Sequence, residues 1–291
     1  MGIAGAVLTV VFAAAVAPPA GRGAVLVAYE SGVDAYAEAL QGIKAGLGAD
    51  AVRAVDVRGP ADLARALAAP DVRLVIAIGS GALKAVHSRA IPAPVISVLT
   101  LRSGEADGAA ARVDFEIPLA TQLAAIRALW PSRLRAGIIR NPARSRLAVE
   151  AIEARVRKEG YAAVVVDSDG PGQLLRAVGS LKGKVDFLLC LPDPDLFNSV
   201  TVKPLVLAAI EARLPVVGFS PSFVRAGAAA GIYPDYRDTG AQAADLALRL
   251  LRGDDHGATE GPRKVRVAVN QRIAHLLGIE FRAGPGVEVL K

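Results

Sequence analysis

Aromatic side chains make up only 4% of this 291-residue chain, which also has one cysteine, one methionine and one tryptophan. A single cysteine, Cys190, excludes an internal disulfide and a four-cysteine zinc site. It follows the apolar run "VDFLLC", as a buried small residue does. The three histidines, His87, His256 and His275, lie far apart and lack metal-ligand spacing. No Gly-x-Gly-x-x-Gly follows the first apolar run, and "GSGALK" at 79–84 lacks phosphate-loop spacing. "GFSPS" at 218–222 places proline after the serine, so it is not a nucleophile elbow. No nucleophile–base pair stands out, and no cofactor or metal is expected.

No apolar stretch reaches the roughly 20 residues of a membrane span. The longest, "IAGAVLTVVFAAAVA" at 3–17, ends in the small-x-small form of a signal-peptidase site, and Pro18-Pro19 follows. We expect residues 1–22 to be an export signal, although no Lys or Arg precedes residue 22. The mature chain then starts between Pro18 and Ala24, outside the cytoplasm or in the periplasm, with no stable membrane insertion. No cysteine follows the run, so a bacterial lipid anchor has no attachment point.

What is present is alanine, valine and leucine, with 53% hydrophobic residues, enough for a large core of helices packed on buried strands. The net charge of +6 comes from scattered arginines, densest at Arg133, Arg135, Arg140, Arg144 and Arg146. Few aromatics accompany them, so a solvated face is expected and nucleic acid is not.

From Gly23 apolar runs alternate with helical periodicity. Strands are expected at 24–30, 51–57, 72–79 and 93–100, with helices between them at 33–48, 60–69 and 80–90. The rhythm breaks at "RSGEADGAAARVDFEIP" (102–118), a candidate hinge, and restarts. Helices at 118–130, 144–159, 171–182 and 199–213 then alternate with strands at 135–141, 162–168, 185–192 and 215–220. This predicts an α/β protein of two doubly wound parallel-sheet lobes with a ligand cleft between them. In such sheets ligands sit beyond the carboxyl ends of the strands. Ser31, Ser80, Gly81, Thr100, Asn141, Asp193 and Ser220 are therefore candidate ligand-binding residues; the alternative for each is a cap of the next helix.

Several stretches resemble the extracytoplasmic solute-binding proteins of bacterial ABC importers, a family with a type I periplasmic-binding fold. They are "VDFEIPLATQLAAIRALWP" with "RAGIIRNP" (135–142), "LPDPD" (191–195), "LPVVGFSPSFVRAGA" (214–228), "DYRDTGAQAADLALRLLRG" (235–253) and "VAVNQRIAHLLGI" (267–279). The resemblance runs from about 112 to 279. Some members of the family bind aromatic amino acids, but this chain departs from the pattern at Ala143-Arg144-Ser145, at Ser220-Pro221-Ser222 and at "LTLRSGE". An aromatic ligand is therefore not carried over.

The resemblance implies three crossings between lobes: residues 23–112 plus 235–258 form lobe 1, and 113–234 plus 259–291 form lobe 2. It places Tyr233-Pro234-Asp235-Tyr236 at the second crossing, where the tyrosines either clamp a ligand or fill the space between lobes. It implies a monomeric receptor, a small-molecule ligand, and an ABC permease with its ATPase as partners. Ser80 and Gly81 begin a helix and suit an anion. Asp193 and Asp235 suit an ammonium unless they are caps, and Tyr236 would cover an apolar part. Together these point to a zwitterion such as an amino acid. A ligand sensor of the same fold without transport, and a small-molecule enzyme on paired lobes, are the alternatives.

Overall fold

The computed structural model describes residues 25–101, 108–143, 145, 148–254, 257–282, 284 and 286–290. The expected export signal and mature start lie outside them.

Apolar runs form the centre of the first sheet. β1 (Val25–Tyr29), β3 (Leu74–Ile78) and β4 (Val95–Thr100) are buried almost throughout, as strands covered on both faces must be. β2 (Val52–Asp56), β5 (Ala111–Asp114) and the two-residue β11 (Thr259–Glu260) complete it, in the order β11-β5-β4-β3-β1-β2. All its pairings are parallel. One face carries α1 (Asp34–Leu47) and α9 (Tyr236–Leu251); the other carries α2 (Pro60–Leu67) and α3 (Ser80–His87).

The second sheet runs β13-β12-β10-β9-β8-β6-β7. Its strands are β6 (Arg135–Arg140), β7 (Ala162–Asp167), β8 (Phe187–Leu189), β9 (Val216–Gly218), β10 (Ala230–Pro234), β12 (Val265–Asn270) and β13 (Val287–Leu290). α4 (Leu119–Leu129), α5 (Val149–Lys158) and α10 (Gln271–Leu276) cover one face. α6 (Pro171–Leu181), α7 (Val202–Glu211) and α8 (Pro221–Arg225) cover the other. The parallel pattern breaks at β12, which runs antiparallel to β10, and β13, parallel to β12, shares its reversed direction. Both sheets share one winding: 2-1-3-4-5 in the first is repeated as 7-6-8-9-10 in the second.

Three details differ from the sequence reading. The break at 102–118 hides β5, whose Ala111, Val113 and Asp114 are buried between β4 and β11. The stretch is too short and too polar to show a strand period. The helix expected from residue 144 is α5, which starts at Val149. Sheet membership also keeps residues 113–114 and 259–260 with the first sheet, two residues past the expected lobe limits. The chain passes between sheets at Phe115–Pro118, at Asp235 and at Gly261–Lys264.

α1 and α9 pack without side chains between them at Gly42 and Gly240, and at Gly46 only the Ala244 methyl intervenes. A Cβ at Gly42 would overlap the Arg237 carbonyl and lie 2.8 Å from the Ala241 nitrogen. One at Gly240 would lie 2.7 Å from the carbonyl carbon of Ala39. The helices meet backbone to backbone, so α9 is held on the first sheet although it follows a strand of the second. Tyr233 and Tyr236 fill the passage between. Their rings stack at 5.8 Å and both are buried. Burial pushes the Tyr233 hydroxyl up to about 12, with the nearby Glu288 carboxylate adding to it, and raises Tyr236 in the same direction. In this structure the pair fills the space between the sheets, with Tyr236 4% exposed.

Candidate functional site

A doubly wound sheet opens a crevice where its strand order reverses, because the two helices leaving that point go to opposite faces. Here the reversals fall between β1 and β3 and between β6 and β8. The residues following these four strands are Glu30-Ser31, Ser80-Gly81, Asn141 and Asp193, with Thr100 and Ser220 one strand further along.

At the first reversal Gly79 has φ 85°, a conformation glycine takes at no steric cost, and α3 starts directly after it. Ser80 and Gly81 are exposed, and the N–H groups of Ser80, Gly81 and Ala82 have no partner among the described residues. The Tyr36 ring lies against Gly79 so closely that a Cβ there would overlap it. Burial raises the Tyr36 hydroxyl pKa, and the Glu30 carboxylate adds to the shift. Glu30 itself is exposed, with Oε2 3.9 Å from where a Cβ of Gly81 would sit. An acid and free helix N–H groups therefore stand side by side.

Ser31 is tied into a triad. Its hydroxyl donates to Asp56 Oδ2 at 2.6 Å and accepts from the Arg58 guanidinium, which also binds Asp56. The Ser31 hydroxyl and the Arg58 backbone N–H, the two largest influences, hold the Asp56 carboxyl at about 2. Arg58 follows β2 as Ser31 follows β1. The post-strand rule would have found it, had it been applied to the second strand.

Thr100 is 1% exposed and its hydroxyl has no partner among the described residues. It lies just past a β-bulge in β4, where Leu99 has φ 54°. A leucine at positive φ is strained, and bulges of this kind turn a strand end. Thr100 points into protein rather than towards the crevice surface.

On the second sheet the candidates serve the backbone. Asn141 is buried, and its Oδ1 accepts from Ala143 N at 3.0 Å. Asp193 Oδ1 accepts from the N–H groups of Asp195 (2.9 Å) and Leu196 (3.1 Å), a local turn cap. Its Oδ2 has no partner among the described residues. Asp235 is the N-cap of α9, accepting from Asp238 N at 3.0 Å. Ser220 stands at the N-cap position of α8 without a side-chain bond. No hydrogen bond joins Ser31, Ser80, Gly81 or Thr100 to Asn141, Asp193 or Ser220.

The sheets do converge beside the crossings. Phe115, after β5, meets Phe219, after β9, edge to face at 6.2 Å, and Phe197 and Phe223 extend the cluster. Phe115, Ile117, Pro192, Phe219, Ile232 and Pro234 enclose a small cavity there with Gln122 as its polar member. The carboxyl ends of β5, β8 and β9 thus share an apolar floor, which the sequence did not reveal.

Two like-wound sheets, three crossings and strand ends that converge define a two-lobed binding architecture. The chain belongs to the ABC transporter substrate binding protein family, whose model matches residues 33–283. It is similar to a tyrosine-binding protein of Clostridioides difficile (strain R20291), 27% identical over 134 residues. That match covers 45% of this chain and 38% of the relative, so the chain spans less than half the relative's length. Among solved structures it resembles the ligand-free, open form of a substrate binding protein with adhesive properties from Clostridium difficile. There the TM-score is 0.69 at 17% identity, covering 92% of this chain and 98% of the other. It also resembles an ABC domain in complex with L-Trp from Streptococcus pneumonia. In that case the TM-score is 0.64 at 18% identity, covering 93% of this chain and all of the other. These likenesses concern the fold, which is that of the periplasmic solute-binding proteins. Among the described residues no helix is long and apolar enough to cross a membrane.

Proposed function

We propose that this chain is the extracytoplasmic receptor of an ABC importer: it takes a small zwitterion, such as an amino acid, between its lobes and presents it to a permease driven by an ATPase. The lobes of this reading are residues 25–114 with 235–260, and 115–234 with 261–290. The observation that carries it is the pairing at the first reversal. Unpartnered N–H groups open α3 at Ser80–Gly81, and the Glu30 carboxylate lies beside them. An α-amino acid carries its carboxylate and ammonium on one carbon, so it meets both with a single rigid end. Glu30 replaces Asp193 and Asp235 as the cationic capture point, since those two acids are spent on caps. The Phe115–Phe219 floor supplies an apolar surface for a side chain, and the relatives named for tyrosine and found with L-Trp are consistent with amino-acid chemistry. No catalytic role is assigned, because the site offers capture points and no activated nucleophile.

The test is a thermal-shift screen of the purified protein against the proteinogenic amino acids, L-tyrosine and L-tryptophan included. Binding to the folded state alone stabilises by about 2.7 kcal/mol at a hundredfold excess over Kd. A saturable rise in Tm with at least one amino acid, lost in Glu30→Gln, is expected. No rise with any of them would overturn the amino-acid assignment.

A further inference from the structure

Two buried glutamines outside the site above direct their amides at the crossings between sheets. Gln242, on α9, donates from Nε2 to Glu260 Oε2 at 2.7 Å and to the Gly261 carbonyl at 2.9 Å. Its Oε1 accepts from the Arg263 N–H at 3.2 Å. Asp238, Asp245 and Arg249 share its helix face by their spacing. They pair with Lys264 at 2.7 Å, with Arg263 at 2.6 Å and with Glu260. The third crossing therefore lies along α9 and runs opposite to it, and α9 is itself held on α1 by backbone contact at glycine. Gln122, on α4, donates from Nε2 to the Ile117 carbonyl at 2.8 Å, which ties the first crossing to a helix of the second sheet.

We propose that Gln122 and Gln242 are positioning residues for lobe movement. They make the first crossing part of the second lobe and the third crossing part of the first. Three short bends remain, at Phe115–Glu116, Pro234–Asp235 and Lys264–Val265. Pulling the third crossing off α9 would leave the Gln242 amide buried with no partner, which costs more than turning a solvated backbone bond. The same holds for the first crossing and Gln122, which is 5% exposed. The proposal rests on the two-lobed receptor reading, and it adds which segments travel with which lobe.

The bends fall where that hold stops. Asp235 belongs to the first lobe: its carbonyl accepts from Thr239 N and from Thr239 Oγ1, both at 2.8 Å, and its side chain caps α9. Its own N–H donates to the Lys264 carbonyl at 3.0 Å, which keeps Lys264 on the same side. The next residue, Val265, pairs with Pro234 in the second sheet. The second and third bends are thus neighbours at one ladder end. Phe115 and Pro234 line one small cavity, which brings the first bend beside them. The proline ring fixes φ of Pro234, so its ψ and the φ of Asp235 do the turning there. Three neighbouring bends define one axis, about which the lobes turn as two rigid bodies.

Spin labels on Asp50→Cys, Gly261→Cys and Lys184→Cys, taken two at a time in the ligand-free protein, test this by pulsed electron paramagnetic resonance. Asp50 reports the first lobe, Lys184 the second and Gly261 the third crossing. All three positions are exposed, and a Cβ at Gly261 meets no atom within 4 Å. Cys190 is buried and stays unlabelled. The 50–261 distance should be narrowly distributed, and the 184–261 distance as broadly as 50–184. Gln242→Met keeps the bulk and removes all three bonds. It should widen the 50–261 distribution towards the interlobe width and speed exchange of the Arg263 amide about fivefold. Lys264→Met removes only an exposed ion pair and should do neither. A wild-type 50–261 distribution as broad as 50–184 would overturn the proposal, whether or not Gln242→Met folds. So would a folded Gln242→Met protein with 50–261 unchanged, or a 50–184 distribution as narrow as 50–261. No ligand enters the measurement, so failure of the amino-acid assignment would leave this result standing, and the reverse holds too.

Discussion

Glycine-to-alanine substitutions at two helical positions should change stability in opposite directions. Gly42 lies inside α1 against α9. Alanine there gains about 1 kcal/mol of helix propensity. Its Cβ, however, meets the Arg237 carbonyl carbon at 3.0 Å, the Ala241 nitrogen at 2.8 Å and the Arg237 oxygen closer still. These are backbone atoms, which cannot rotate away, so the helices must separate by about 1 Å to restore contact distance. Overpacking of this kind costs about 1–3 kcal/mol, and rigid obstacles put it at the upper end. The separation also loosens Ala39, Ile43, Ala243 and Ala247 at the same seam. Gly42→Ala should therefore lose about 1–2 kcal/mol net. Gly179 lies inside α6 with no atom within 4 Å of a Cβ, and its φ is not positive. There the same change should gain about 0.5–1 kcal/mol. At about 2–4 °C per kcal/mol for a chain of this class, calorimetry separates the two variants by several degrees. Shifts of the same sign would refute the claim that α9 is held on the first sheet by backbone contact at glycine.

Asp235→Ala removes the α9 N-cap and should cost about 1 kcal/mol in unfolding free energy, while Asp235→Ser should restore most of it. Asp193→Ala should lower the apo Tm by removing the turn cap, yet leave amino-acid affinity within about twofold, because the proposed site assigns the ammonium to Glu30. A larger loss of affinity in a calorimetric titration would return Asp193 to the site. The Asp56 carboxyl should titrate near 2 by carbon-detected NMR. Its folded pKa lies below its unfolded value of 3.8, so its contribution is complete above 3.8 and disappears as pH falls towards about 2. Ser31→Ala should move that midpoint up towards the unfolded value.

Burial on both faces wrote β1, β3 and β4 into the sequence as unbroken apolar runs, and two-lobed winding followed from their alternation with helices. β5 left no such mark. Its four residues include Arg112 and Asp114, and its burial comes from β4 and from β11, which is some 150 positions away. The antiparallel β12 was equally silent, since pairing direction depends on a non-local partner. In the proposed site, strand ends named positions but could not tell a ligand group from a cap. An aspartate after a strand looks the same whether it binds a ligand or caps a turn, and Asp193 and Asp235 cap. Whether tyrosines fill or clamp depends on what stacks on them, here each on the other. Glu30 became prominent only when α3 brought Gly81 beside it.

The central claim is that two lobes close over a bound solute, hinged at 115–118, 235 and 261–264. Small-angle scattering with and without the amino acid that gives the largest thermal shift tests it directly. The account predicts a smaller radius of gyration in the saturated protein, with the decrease abolished in Glu30→Gln at the same concentration. An unchanged radius at saturation would contradict closure.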